Sequence, residues 1–192
     1  MKNLLLVILL TIIFADEYPP GKDIPVITKE KWVQDLIVLA RERNTEYNNE
    51  YPYNVLYYDG DRDVWSADCS NLHKSLFNKR DIYDFTPDNF QWDLSNTGDI
   101  TEYQLISRCT DQSNDFTRLR AGEPRLLYMN GHIGAYLGQV IDGQYNAVEA
   151  AYSFGKITFS WVDSDGTRRD RKGGYNCGNW LQHGKPSRWV IY

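Results

Sequence analysis

The chain has 192 residues, 42% of them hydrophobic and 24% charged, with a formal net charge of −5. That length suits one domain, and the apolar fraction excludes a wholly disordered polymer. An acidic balance, 26 Asp and Glu against 21 Lys and Arg, argues against nucleic acid as a partner, since such binders carry a basic excess.

Met1, Lys2 and Asn3 precede a run from Leu4 to Phe14 that is apolar except for Thr11, and Ala15 follows it. A positive start, a short apolar core and a small residue predict a secretory signal peptide over residues 1–15, cut before Asp16. The run is shorter than the roughly 20 apolar residues of a membrane span, and an uncleaved anchor is the alternative. The expected location is therefore secreted, in an oxidising space, with no membrane contact after cleavage. Residues 16–27, rich in Pro and Gly, predict an extended leader.

Thr28 reads as a helix N-cap, and Trp32, Leu36, Leu39 and Ala40 recur at helical spacing, which predicts a helix over 29–43. Residues 44–54 read as loop, and Asp59-Gly60-Asp61 as a turn. Asp68 is placed to cap a second helix running to about residue 78, with Leu72, Leu76 and Phe77 on one face. Thr101 is placed to cap a third, carrying Leu105, Ile106 and Cys109. After Asp111 the pattern turns to short strands at 125–129, 133–137, 145–150, 157–162 and 188–192, separated by Gly and Asp turns. Helices first and strands second predict an α+β fold, N-terminal helices packed on an antiparallel β-sheet, as a single domain over 28–192.

The chemistry centres on Cys69. It falls in the first turn of the second predicted helix, where the positive end of the dipole and free N–H groups favour a thiolate and could hold an oxyanion. Taken alone, a secreted cysteine reads as a structural half-cystine. Three cysteines, however, can close only one internal disulfide. Cys109, on an apolar helix face, and Cys177, in a Gly-rich loop, occupy positions that would not activate a thiol, so the expected bridge is Cys109–Cys177 with Cys69 free.

The chain has three histidines as potential bases. His73 lies one helical turn beyond Cys69 and reads as a solvated helix residue. His183 reads as a turn residue. His132 heads a predicted strand, the position a cysteine–histidine pair requires, although a hydrogen-bonded turn histidine would look the same. Glu149 sits mid-strand among apolar residues, where an unpartnered carboxylate is costly, and an imidazole N–H would satisfy it; an edge-strand Glu facing water is the plainer reading. The basic run from Arg168 to Lys172 reads as a solvated hairpin tip. Histidines and cysteines so dispersed lack ligand spacing, so neither metal nor cofactor is expected.

Together these segments resemble the NlpC-type cysteine peptidases, papain-like enzymes that cut bacterial cell-wall peptides. Asp68-Cys69-Ser70-Asn71-Leu72 is similar to that family's Asp-Cys-Ser-Gly-Leu nucleophile motif. The stretch from Gly131 to Gly138 is similar to its His-Val-Gly-Ile-Tyr-Leu-Gly strand, and Leu119 to Pro124 to the turn leading into it. Val148-Glu149-Ala150 falls where the family keeps its third polar residue, and Pro52-Tyr53-Asn54 resembles a segment whose tyrosine hydroxyl lies near the nucleophile. The resemblance covers roughly residues 28–192.

What it implies is amide hydrolysis through a thioester, at the γ-D-glutamyl–diamino acid bond of peptidoglycan stem peptides. Cys69 would be the nucleophile, His132 the general base and acid, Glu149 the group that orients His132, and Tyr53 an oxyanion support; the partner would be peptidoglycan or its muropeptides. The chain departs from the family at Asn71, which replaces Gly, at Asn54-Val55, which is no Gly-Gly pair, and at Glu149, where His is frequent. The alternatives are a Cys–His amidase or acyltransferase acting on another substrate, and a non-catalytic secreted binding module with structural cysteines.

Overall fold

A computed structural model describes residues 21–49, 56–78 and 94–192. The expected signal peptide, the first part of the leader and Tyr53 lie outside the described residues.

Helix α1, Lys29–Arg41, starts at Thr28, whose hydroxyl accepts the Lys31 N–H at 3.2 Å. Its apolar stripe, Trp32, Leu36 and Leu39, is buried completely. Helix α2, Cys69–Asn78, begins at Asp68, whose carboxylate accepts the Asn71 N–H at 2.7 Å. Helix α3, Glu102–Ser107, is closed by a capping box between Thr101 and Gln104.

The helices cover one face of an eight-stranded, wholly antiparallel sheet. Its strands are β5 (Thr110–Ser113), β6 (Arg125–Met129), β7 (His132–Ile141), β8 (Tyr145–Ala151), β9 (Lys156–Val162), β10 (Thr167–Arg169), β11 (Asn176–Asn179) and β12 (Gln182–Lys185). They lie in the order β11-β10-β9-β8-β7-β6-β12-β5. The sheet curls: between β11 and β12, the Trp180 N–H donates to Gly166 O beside β10, and the next N–H, of Leu181, donates to Tyr128 O on β6, both at 2.8 Å. Alternation along the strands then divides the side chains between two cores. Ile133, Ala135, Leu137, Val148 and Ala150 face the helices, whereas Leu127, Ala147, Val162 and Trp180 fill the inside of the curl.

The α+β architecture is as the sequence predicts, with differences that have physical causes. Around residues 44–54, read as loop, and 59–61, read as a turn, the described residues hold a second sheet in which β2 (Thr45–Tyr47) runs parallel and β3 (Tyr57–Asp59) antiparallel to β4 (Val64–Ala67). The C-terminal strand shrinks to β13 (Val190–Ile191), which pairs in parallel with β1 (Ile27–Thr28) instead of joining the large sheet. The leader is tied down where it is described: Asp23 and Ile24 bond to Asn96, and Val26 to Trp189. Among the described residues no helix is long and apolar enough to cross a membrane.

The expected Cys109–Cys177 disulfide is not formed, and all three cysteines carry free thiols. Cys109 is buried just before edge strand β5, its thiol on Leu105 O, while Cys177 lies on β11 at the opposite edge with its thiol on Tyr175 O. Cys109 belongs to the core beneath the helices whereas Cys177 is partly exposed, and each thiol bonds a carbonyl of its own segment.

Two histidines also depart from expectation. His183 is no turn residue: it lies in β12, buried, between Asp115 O and the Arg125 guanidinium. His73 is not solvated but fully buried, its ring between Trp32 and Phe77 with centroids 6.1 and 6.2 Å away, and among the described residues neither ring nitrogen has a hydrogen-bond partner. Burial, reinforced by the charge of His132, drives its pKa from 6.5 down to about 3. The folded protein thus keeps His73 neutral where the unfolded chain takes up a proton. Its contribution to stability is complete above about pH 6.5 and is lost as pH falls toward about 3, at up to about 1.4 kcal/mol per pH unit. Urea unfolding at pH 7, 5.5 and 4.5 should show His73→Leu losing less stability over that range than wild type. Parallel losses would mean that the ring is not held neutral.

Candidate active site

Of the candidate residues, His132 and Glu149 meet at the N-terminal end of β7, and Cys69 lies on the other face of that strand. α2 approaches from the helix-covered face and presents Cys69 in its first turn; the thiol meets the backbone N–H groups of Ser70 and Ile133. That contact is available because the β7–β8 ladder begins only at Gly134, opposite Glu149, leaving the Ile133 amide beyond the end of the pairing. His132 is the next residue back. Its side chain, like that of Tyr136, turns into the curl.

Inside the curl His132 finds two supports. Its Nε2 lies 2.6 Å from Glu149 Oε2, and its ring stacks on Trp180, centroids 5.4 Å apart and planes 18° apart. Glu149 is 0% exposed. Burial works against its charge, but the His132 hydrogen bond and the charge of Arg168 outweigh it and hold the carboxyl below its usual range. An ionised carboxylate only accepts hydrogen bonds, so Nε2 carries the proton. Nδ1 is the free nitrogen; among the described residues it makes no hydrogen bond.

Arg168 completes the group. From β10 it reaches Glu149 with Nε at 3.0 and 2.8 Å from the two carboxylate oxygens and Nη2 at 2.7 Å from Oε2, and its Nη1 donates to Cys177 O at 3.0 Å. The guanidinium lies over the Phe154 ring at 5.4 Å and the Trp180 ring at 5.9 Å. Removing one partner of such a buried pair costs about 3–5 kcal/mol, because the other charge stays behind. Arg168 is therefore no part of a solvated hairpin tip: it is 6% exposed, and its neighbour Arg169 pairs with Asp163. Trp180 and Arg168 are the two site residues that sequence reasoning missed.

Cys69, the candidate nucleophile, differs electrostatically from expectation. Cys69 is 7% exposed. Burial, and then the negative charge of Asp68, push its thiol up to about 12, against the pull of the Ile133 and Ser70 amides. The same Asp68 that caps α2 thus cancels the benefit of the helix terminus. A second phenol stands nearby: Tyr47, on β2, is raised to about 12 by burial and by the charges of Cys69 and Asp68, and its ring meets the exposed Tyr152 edge-on at 5.8 Å. No group of three or more His, Cys, Asp or Glu among the described residues gathers as metal ligands would.

No protein-family model matches this chain, and neither a curated protein nor a solved structure does.

At neutral pH the free protein therefore holds Cys69 as a protonated thiol, not as a preformed thiolate. Alkylation by iodoacetamide, resolved at Cys69 by peptide mass, should keep accelerating from pH 7 to pH 10. A rate that levels off below pH 7 would contradict this account.

Proposed function

We propose that this protein is a papain-like thiol hydrolase of NlpC type that cleaves amide bonds in peptidoglycan stem peptides, the γ-D-glutamyl–diamino acid bond first among them. The observation that carries the proposal is the His132–Glu149 hydrogen bond. It fixes Nε2 as the protonated nitrogen and leaves Nδ1 bare at the strand end where Cys69 is seated. Export through residues 1–15 would bring the enzyme to its substrate outside the cell. An acidic protein has no general attraction to an anionic wall, so recognition would fall to local surface, such as the aromatic edge that Tyr47 and Tyr152 form.

The chemistry is base-assisted. As Sγ attacks the carbonyl carbon, its proton passes to His132 Nδ1, and the Cys69 backbone N–H receives the oxyanion, a contact of the kind worth about 3 kcal/mol. The C–N bond breaks as Nδ1–H gives that proton to the leaving amine, and a thioester remains. Water then adds to the thioester while Nδ1 takes its proton; the C–S bond breaks and Sγ recovers the proton from Nδ1. Glu149 keeps the ring in one tautomer throughout. Tyr47 is a second oxyanion donor to weigh beside Tyr53.

One observation favours a competing view, in which the protein is a non-catalytic binding module: Cys69 is buried and protonated. Incubation with purified peptidoglycan, analysed by mass and by labelling of new amine ends, separates the two. Wild type should release fragments and Cys69→Ala should lose at least about a thousandfold in rate. Equal release by Cys69→Ala would overturn the mechanism, and release only from non-wall amides would redirect the substrate.

A further inference from the structure

Arg168 lies in a run that looks like surface, yet its guanidinium is buried against Glu149 and cradled between Phe154 and Trp180. The side chain it grips is the one that holds His132. Trp180 also joins the two, since His132 stacks on the ring that Arg168 overlies. We infer that Arg168 is a positioning residue of this site: by sharing the Glu149 carboxylate it keeps His132 a neutral Nε2–H imidazole, with Nδ1 free to take the thiol proton. The inference rests on the Cys69–His132 site proposed above, but not on any particular substrate.

The physical basis is a competition for one charge. Glu149 alone, buried and ionised, would draw a proton onto His132 and hold it there as imidazolium, which is no base. Arg168 neutralises that carboxylate at hydrogen-bond distance, so the ring has less to gain from a positive charge. The two-point contact through Nε also pins the carboxylate rotamer, and so the direction in which Oε2 meets Nε2. Among the described residues, the other ionisable groups near this cluster are His73, buried on α2, Cys69, near the Ile133 amide next along the chain, and Cys177 on β11, whose thiol feels both Glu149 and Arg168. All three are uncharged at neutral pH, which leaves Glu149 and Arg168 to set the balance.

Ring-nitrogen NMR of the full-length protein tests this without turnover, since the chain has only three histidines. Wild type should display His132 as the Nε2–H tautomer at neutral pH. In Arg168→Gln its titration midpoint should rise by about one pH unit or more, the scale of an opposite charge removed within a few ångströms. An unchanged midpoint and tautomer would overturn the inference. Should Arg168→Gln fail to fold, Arg168→Lys keeps a cation beside Glu149 but loses the two-point contact. Its His132 midpoint should rise, or its tautomer become mixed; an unchanged midpoint and tautomer would overturn the inference. Because these readouts need no activity, they are distinguishable from failure of the peptidoglycan digest, which bears on the substrate and the nucleophile.

Discussion

A carboxylate with no access to water organises this molecule. Glu149 sits in the middle of the central sheet, and a charge there is tolerable only because His132 and Arg168 meet it from strands on either side. His132 comes from β7, Glu149 from β8 and Arg168 from β10, so the ion pair ties together strands that span half of the sheet. The curl is what makes this possible. A flat sheet would leave Trp180 far from β7; the curled one lays it over His132, and Gly134 is the residue beneath, where a Cβ would stand 3.0 Å from the indole.

The same geometry explains why the thiol and the imidazole do not form a resting ion pair. They reach the end of β7 from opposite faces, the thiol with the helices and the ring inside the curl. Asp68 is committed to capping α2 and adds a negative charge beside the sulfur, while Arg168 takes up part of the Glu149 charge that would otherwise favour an imidazolium. Both effects favour the neutral thiol and neutral imidazole over the separated charges. Under the proposed function, the site would transfer a proton during attack and would depend on the precision with which Nδ1 is presented.

Much of this was legible in the amino-acid order, where the signal is local. α1 and α2 follow from a cap residue and an apolar stripe, and β6, β8 and β9 from short apolar runs bounded by turns. Cys69, His132 and Glu149 could be singled out because each is an odd residue in its own segment. Arg168 could not: a basic residue in a charged, Gly-flanked run looks solvated, and its reason for burial, Glu149, lies 19 residues away. Trp180 likewise owes its place to a connector that crosses the curl. The activation of Cys69 was misjudged because a helix terminus is read from sequence, whereas burial of the sulfur is a property of the whole fold. The Cys109–Cys177 pairing failed for a similar reason, since nothing near either cysteine reveals that they end on opposite edges of one sheet.

The central claim is that Cys69 attacks a carbonyl with His132 Nδ1 as its base. Rapid-quench intact-mass analysis of the protein mixed with a muropeptide tests it most directly. A transient acyl adduct that maps to Cys69 in the wild type, and that does not accumulate in His132→Ala, is the predicted result. An adduct on another residue, or one that forms on Cys69 at the same rate without His132, would contradict it.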